Sequence, residues 1–284
     1  MDSPLTFIRN DITYTLAFPD DPVRVFVDHF VVMSGQAAMH ENRIFPNNKA
    51  ELFFNLADPL AGKPHGCADT YRLKESVISG TRHSYFSFQP GVQLLAAGLR
   101  FTLFGFYHLF QIPACEFTNG NFNTTDVWGR EMEWLRERLL ACDTPQNLFA
   151  VLYAWVLDKI SDEKLREIKK WTWVEKQIMQ PHTQVEPLLA RIVGYSHKHT
   201  IQLFKEKAGL SPKTIQRVNR FESALRQINR KAPVDWIGLA NEAGYSDQSH
   251  FIREFSHFTG YTPGAYLRES PPTLRLPLQA EDNT

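Results

Sequence analysis

Two short stretches in the C-terminal third carry side chains whose donors and acceptors suit the edges of nucleic-acid bases. Between Ser196 and Lys207, helical spacing sets His197, Lys198, Ile201, Gln202 and Lys205 opposite Leu203 and Phe204. Lysine donates to guanine O6 and N7, glutamine binds adenine in bidentate fashion, and isoleucine can cover a thymine methyl. Between Ser246 and His257, Phe251 and Phe255 define a buried side, leaving Gln248, Ser249 and Arg253 outward. Gln248 suits adenine, Arg253 suits guanine, and the Ser249 hydroxyl can donate to a base or a phosphate. Asp247 is read as a first-turn acid favoured by the helix dipole.

The elements that must hold these side chains are written twice in the sequence. The first copy runs Ala190-Arg-Ile-Val-Gly-Tyr-Ser196, then a helical stretch with Phe204, then Gly209-Leu-Ser-Pro212. The second runs Ala240-Asn-Glu-Ala-Gly-Tyr-Ser246, then a helical stretch with Phe255, then Gly260-Tyr-Thr-Pro263. Ala190 and Ala240 allow two helices to cross closely. Gly194 and Gly244 can end one helix in the left-handed conformation, and Ser196 and Ser246 can cap the next. Helix, short glycine turn and capped second helix is the grammar of a helix-turn-helix unit. Ser211-Pro212 and Thr262-Pro263 each start a further helix. The first of these is a connector from Lys213 to Arg230, with Ile215, Val218, Leu225 and Ile228 inward. Two copies are too few for a stable solenoid.

Charge divides the chain in the same way. It has 284 residues, 31 Lys plus Arg and 31 Asp plus Glu. Residues 181–270 hold 12 basic against 8 acidic side chains, and residues 1–180 hold 18 against 21. A polycation is excluded, but a basic helical part follows an acidic one. Duplex DNA is the partner this pattern favours.

Residues 183–268 resemble the DNA-binding domain of AraC/XylS-type transcriptional regulators. The distinctive string is Ile237-Gly-Leu-Ala-Asn-Glu-Ala-Gly-Tyr-Ser-Asp-Gln-Ser-His-Phe-Ile-Arg-Glu-Phe255, closed by Gly260-Tyr-Thr-Pro263. The first unit departs at Thr200, where that family usually has Leu, which implies looser packing of its recognition helix. The resemblance implies that Lys198, Ile201 and Gln202 face base edges, while the place of Lys205 near the end of its helix sets it by a backbone phosphate. Two different recognition helices imply two successive major-groove segments and an asymmetric site. Glu51-Leu-Phe-Phe-Asn-Leu56, Leu95-Ala-Ala-Gly-Leu-Arg-Phe101 and Asp126-Val-Trp-Gly129 resemble a β-rich N-terminal domain attached to some of these regulators. It implies a sensor or dimerisation module, with a small-molecule effector, a second copy of the chain and RNA polymerase as candidate partners.

The remaining sequence fits that division. Val23–Val27, Glu51–Leu56, Ser84–Phe88 and Val92–Phe104 are strand-like runs separated by Gly, Pro, Asn and Asp. They predict a sandwich or barrel within residues 1–160, closed by two helices. One starts at Thr125-Asp126 with Val127, Met132, Leu135 and Leu139 inward, and the other spans Pro145–Ile160. Residues 161–182 read as a polar linker or first helix, with a capping box at Thr183-Gln-Val-Glu186. Residues 269–284 read as a flexible tail. Aromatics Phe53, Tyr85, Phe86 and Phe88 are candidate cavity residues, more simply read as core.

The function classes left over are few. Asp2, Arg9, Asp11, Asp20 and Asp21 predict no signal peptide, and no apolar run is long enough for a membrane span, so a cytoplasmic protein is expected. Cys67, Cys115 and Cys142 form neither a CxxC pair nor a disulfide framework. His29, His40, His65, His83 and His108 show no metal-ligand spacing, and His65-x-Cys67 is the tightest pair. No nucleophile elbow, P-loop or His-Glu-x-x-His is present, so no catalytic residue, metal or cofactor is expected. The rival reading is a metal-dependent, cupin-like enzyme of small molecules carrying a helical targeting domain.

Overall fold

The computed structural model describes residues 3–9, 11–36, 42–64, 71–73, 75–89, 91–180, 194, 196–228 and 234–269. The chain forms a β-rich N-terminal domain followed by a helical C-terminal region. A seven-stranded antiparallel sheet has the order β1 (Leu5–Arg9), β2 (Ile12–Ala17), β3 (Val27–Gln36), β10 (Gln93–Phe101), β5 (Glu51–Asn55), β8 (Ser76–Ser79), β11 (Asn121–Asn123). A four-stranded sheet has the order β4 (Asn42–Ile44), β9 (Phe86–Gln89), β6 (Leu60–Pro64), β7 (Tyr71–Leu73).

Strand periodicity gives the larger sheet two different faces. Phe30 and Val32, Leu52 and Phe54, Ala97 and Leu99 pack in one core with the helices that follow the sheet. Val31, Met33, Leu94 and Ala96 join Tyr14 and Leu16 in a second. A charged row crosses three strands, because Glu51 pairs with Arg100 and Arg100 with His29. Arg100 Nε donates to Glu51 Oε1 at 2.7 Å, and His29 Nδ1 lies 2.9 Å from Asp28 Oδ2. Asp28 also holds Lys49 Nζ at 2.6 Å. Burial would raise the Asp28 carboxyl, but the His29 hydrogen bond and the Lys49 charge hold it well below the usual range.

Two sequence expectations need correction here. Val23–Val25 is a 3-10 helix, and the strand begins only at Val27. The single helix expected from Thr125 is two, α2 (Thr124–Trp128) and α3 (Arg130–Leu140), broken at Gly129 where φ is +62°. Of the two readings of residues 161–182, linker or first helix, the structure has the helix, α5 (Asp162–Ile178), capped by Ser161 and burying Ile168, Val174 and Ile178. The helix expected at Pro145 is α4 (Pro145–Asp158), with Thr144 as its cap. A short α1 (Gly105–Phe110) leaves the last long strand. The capping box at 183–186, Ala190 and the tail from 270 onward lie outside the described residues.

The helical region contains α6 (His197–Ala208), the connector α7 (Pro212–Gln227), α8 (Trp236–Glu242), α9 (Gln248–Thr259) and α10 (Pro263–Glu269). Phe221 from the connector packs with Phe251, Phe255, Phe258, Tyr245 and Leu239. Ile215, Val218 and Leu225 are buried as expected, and Phe221, the largest side chain on that face, was not among the expected set.

The two parts share their cores. Phe45, from the loop after β4, lies in the core of the second helical unit, with its ring 6.1 Å from Phe221. Phe204 of α6 packs on Phe104, at 5.6 Å between rings, and on Trp171 of α5. The core of the first unit is therefore completed by Leu103 and Phe104 of the β-domain and by Val174 and Ile178 of α5.

His108 on α1 is 2% exposed beside Trp171, and neither ring nitrogen has a hydrogen-bond partner among the described residues. Burial, helped by the Lys207 charge, lowers its pKa to about 4. The unfolded chain takes up this proton near 6.5, so between these values the unfolded state binds more protons and stability falls as pH falls. Between pH 8 and 5 the loss from this group is about 2 kcal/mol. His108→Leu should flatten the acid limb of a denaturant-midpoint profile, and an unchanged limb would refute this assignment.

Candidate nucleic-acid interface

Each recognition helix starts at a capping side chain and ends at a left-handed glycine. In the first unit Ser196 caps α6, accepting from the His199 N–H at 3.3 Å. In the second the cap is Asp247, not Ser246: Asp247 Oδ1 accepts from the His250 N–H at 2.7 Å. The reason is one extra residue. Phe204 lies ten residues after Gly194, whereas Phe255 lies eleven after Gly244, so the cap moves one place along. Ser246 instead donates its hydroxyl to Asp247 Oδ2 at 3.0 Å. The His250 N–H, then the Ser246 hydroxyl, hold the Asp247 carboxyl below its usual range. Asp247→Ala should lower the melting temperature by a few degrees while Ser246→Ala leaves it nearly unchanged. The reverse order would return the cap to Ser246.

Gly194 and Gly244 have φ of +67° and +81°, and Gly244 makes the turn between α8 and α9. Thr200 is buried, and its Oγ1 donates to the Ser196 carbonyl at 3.2 Å, which occupies a hydroxyl that would otherwise be unpaired.

Counting from the caps aligns the helices. Lys198 matches Ser249, Ile201 matches Ile252, Gln202 matches Arg253 and Lys205 matches Ser256. Lys198, Gln202 and Lys205 are exposed on α6 and Ile201 is half-buried. On α9, Gln248, Ser249 and Arg253 are exposed, and Ile252 keeps 37% of its surface in solvent. Ile252 and Ser256 therefore belong with the outward face, and the internal repeat, read from the caps, is the signal that finds them. Gln248, aligned with His197, sits at the helix start, to one side of the Ser249–Arg253 stripe.

The opposite sides are held. Glu254 is buried and pairs with Arg217 of the connector, at 2.7 Å to Nε and 2.5 Å to Nη2. Arg253 makes no ion pair among the described residues. Residues 189–269 match the family described as a helix-turn-helix domain. This match covers the C-terminal helical region, from before α6 to the end of α10. Residues 16–123 match a family described as a domain of unknown function. No curated protein matches the chain. Among solved structures, ToxT from Vibrio cholerae is 12% identical over 84% of this chain and 97% of that one, with a TM-score of 0.40. A ToxT structure described as bound to unsaturated fatty acid is 11% identical over 84% and 94%, with a TM-score of 0.41. A Vibrio parahaemolyticus protein of unknown function is 13% identical over 34% of this chain and 95% of that one, with a TM-score of 0.27.

The N-terminal domain grips the helix-turn-helix domain at both glycines that close the recognition helices. Gly209, at φ +79°, has its carbonyl bonded by Thr118 Oγ1 at 2.8 Å, and a Cβ there would lie 2.2 Å from Thr81 Oγ1. Gly260, at φ +73°, lies under Arg43, and a Cβ would lie 2.6 Å from Nη1 of that arginine. Arg43 donates to the Thr259 carbonyl at 2.9 Å and stacks between Tyr85 and Tyr261, at 4.6 and 4.0 Å from the ring centres. Tyr85, a cavity candidate in the sequence, is thus an interdomain contact. Between the two glycines, Asn48 Nδ2 donates to the Ile215 carbonyl and Asn219 Oδ1 of the connector. On α6, Tyr107 donates to Glu206 at 2.8 Å, and Lys207 Nζ lies 3.9 Å from the Tyr107 ring centre. These contacts leave Lys198, Gln202 and Lys205 exposed.

Among the described residues no group of three or more His, Cys, Asp or Glu is placed to hold a metal. Among them, too, no helix is long and apolar enough to cross a membrane.

Proposed function

We propose that the chain is a sequence-specific transcription regulator whose two helix-turn-helix units read adjacent major-groove segments. The observation that carries this reading is the repeated outward face. Two capped helices present side chains of base-reading type at one register, while their other sides are buried. Lys198, Ile201 and Gln202 on α6, with Ser249, Ile252 and Arg253 on α9, are the base-facing residues. Gln248 reaches from the N-terminal end of α9, and Lys205 meets a phosphate. Because the two faces differ, the site is asymmetric.

The N-terminal domain controls the reader through its contacts with both recognition-helix ends and the connector. A small-molecule ligand acting on that docking would change the relation of the two helices by linkage. The test is selection of bound duplexes from a random library with the full chain. A single asymmetric motif of two blocks about one helical turn apart supports the reading. Enrichment of no motif, with no duplex affinity at low salt, overturns it.

A further inference from the structure

A cavity of about 320 Å³ separates the N-terminal domain from the connector, and α5 closes it. That is the lower end of the size range of small-molecule pockets. Its walls include Asn48, Lys49 and Arg100 from the β-domain, Glu175 from α5, and Arg220 and Arg226 from the connector. Met179 is the one apolar side chain among its lining residues, and the functional groups of the wall are otherwise amides, a hydroxyl, carboxylates and cations.

The charges are not all accounted for internally. Lys49 is paired with Asp28 and Arg100 with Glu51. Arg226 is exposed and has no carboxylate partner among the described residues. The Arg220 guanidinium lies 5.7 Å from the Tyr245 ring centre, and its buried Nε has no acceptor. Asn48 also lines the cavity, and its buried Oδ1 has no donor among the described residues, while its amide nitrogen donates to the connector. Buried polar atoms without partners cost free energy, so two such atoms on residues lining one cavity favour a polar ligand there. Glu175 and Glu222 also line the space and disfavour a bare anion, but accept from hydroxyl groups beside one.

We propose that this interdomain cavity binds a small hydroxylated oxyanion, with its carboxylate or phosphate on Arg220 and Arg226 and its hydroxyls on Asn48 and Glu175. The proposal deepens the ligand-control part of the function above. It places the effector on the connector, beside the Phe45 and Asn48 contacts, where occupancy bears on both recognition helices.

The test uses the full chain and three probes, glucose 6-phosphate, gluconate and citrate, at about 10 mM against sodium chloride of equal ionic strength. At least one probe should raise the melting temperature with concentration, while neutral glucose does not. Arg226→Gln should keep the unliganded melting temperature, since the side chain is exposed, and weaken the responding probe by about tenfold or more. Arg138→Gln, on the exposed face of α3, should change nothing. The proposal is overturned if none of the three probes acts, or if the response survives Arg226→Gln. It is also overturned if Arg226→Gln lowers only DNA affinity, which would assign the guanidinium to a backbone phosphate. Duplex affinity measured without any probe tests the regulator reading separately, so the two failures are distinguishable.

Discussion

Phe104→Ala is expected to destabilise the protein by about 3–5 kcal/mol and to loosen the first recognition helix with it. Phe104 is 1% exposed at the end of the β-domain, with its ring 4.9 Å from Trp171 and 5.6 Å from Phe204. It joins three elements far apart in the sequence, since Leu103, Val174, Ile178 and Ile215 complete the same cluster. Truncation therefore leaves a cavity where the β-domain, α5, α6 and the connector meet. Equilibrium unfolding should show the loss in the midpoint, and hydrogen exchange should show faster opening of α6 than of α9. A destabilisation below about 1 kcal/mol would mean that the first unit is stable without this contact. In the same way, a fragment starting at residue 161 should protect α9 better than α6, because it lacks Phe104 from the middle of the first cluster while the second unit loses Phe45, Tyr85 and Arg43 from its edge.

The parts of the fold that the sequence made legible were those governed by local rules. The glycine turns, the Ser211-Pro212 helix start and the buried Phe204 and Phe255 each follow from a residue's own conformational or apolar preference. So do the strands at Glu51 and Gln93. What stayed hidden depends on contacts between segments distant in sequence. Arg43 looks like an ordinary surface arginine until Tyr85, Tyr261 and the Thr259 carbonyl surround it. Polar residues dominate 161–170, yet one apolar face on α5 is enough to bury Ile168, Val174 and Ile178. The Ser246 cap failed for a smaller reason. Asp247 is an equally good cap one residue on, and only the length to Phe255 decides between them.

Arg253→Ala and Gln248→Ala are expected to cost about 1–3 kcal/mol each at the preferred site, and each should relax preference at one base position. Arg253 is exposed on the outward stripe of α9 and makes no ion pair with Glu254 or Glu242 among the described residues, while Arg217 holds Glu254 Oε1. Its removal should therefore leave the melting temperature unchanged while specificity falls. Gln248 occupies the first helical position after the Asp247 cap, where recognition helices commonly meet base edges. The double variant should lose roughly the sum if the two side chains touch separate bases. Lys205→Ala should behave differently. If its charge, near the C-terminal end of α6, meets phosphate as proposed, all sequences weaken about equally and the salt slope falls by roughly one counterion. Ile252→Ala is the comparison that the repeat supplies. If Ile252 and its counterpart Ile201 both cover apolar base surface, each substitution relaxes one position in its own half of the site. Binding to selected and scrambled duplexes at two salt concentrations, with a melting curve for every variant, separates these outcomes. Unchanged preference in both Arg253→Ala and Gln248→Ala would show that α9 does not read bases through this face.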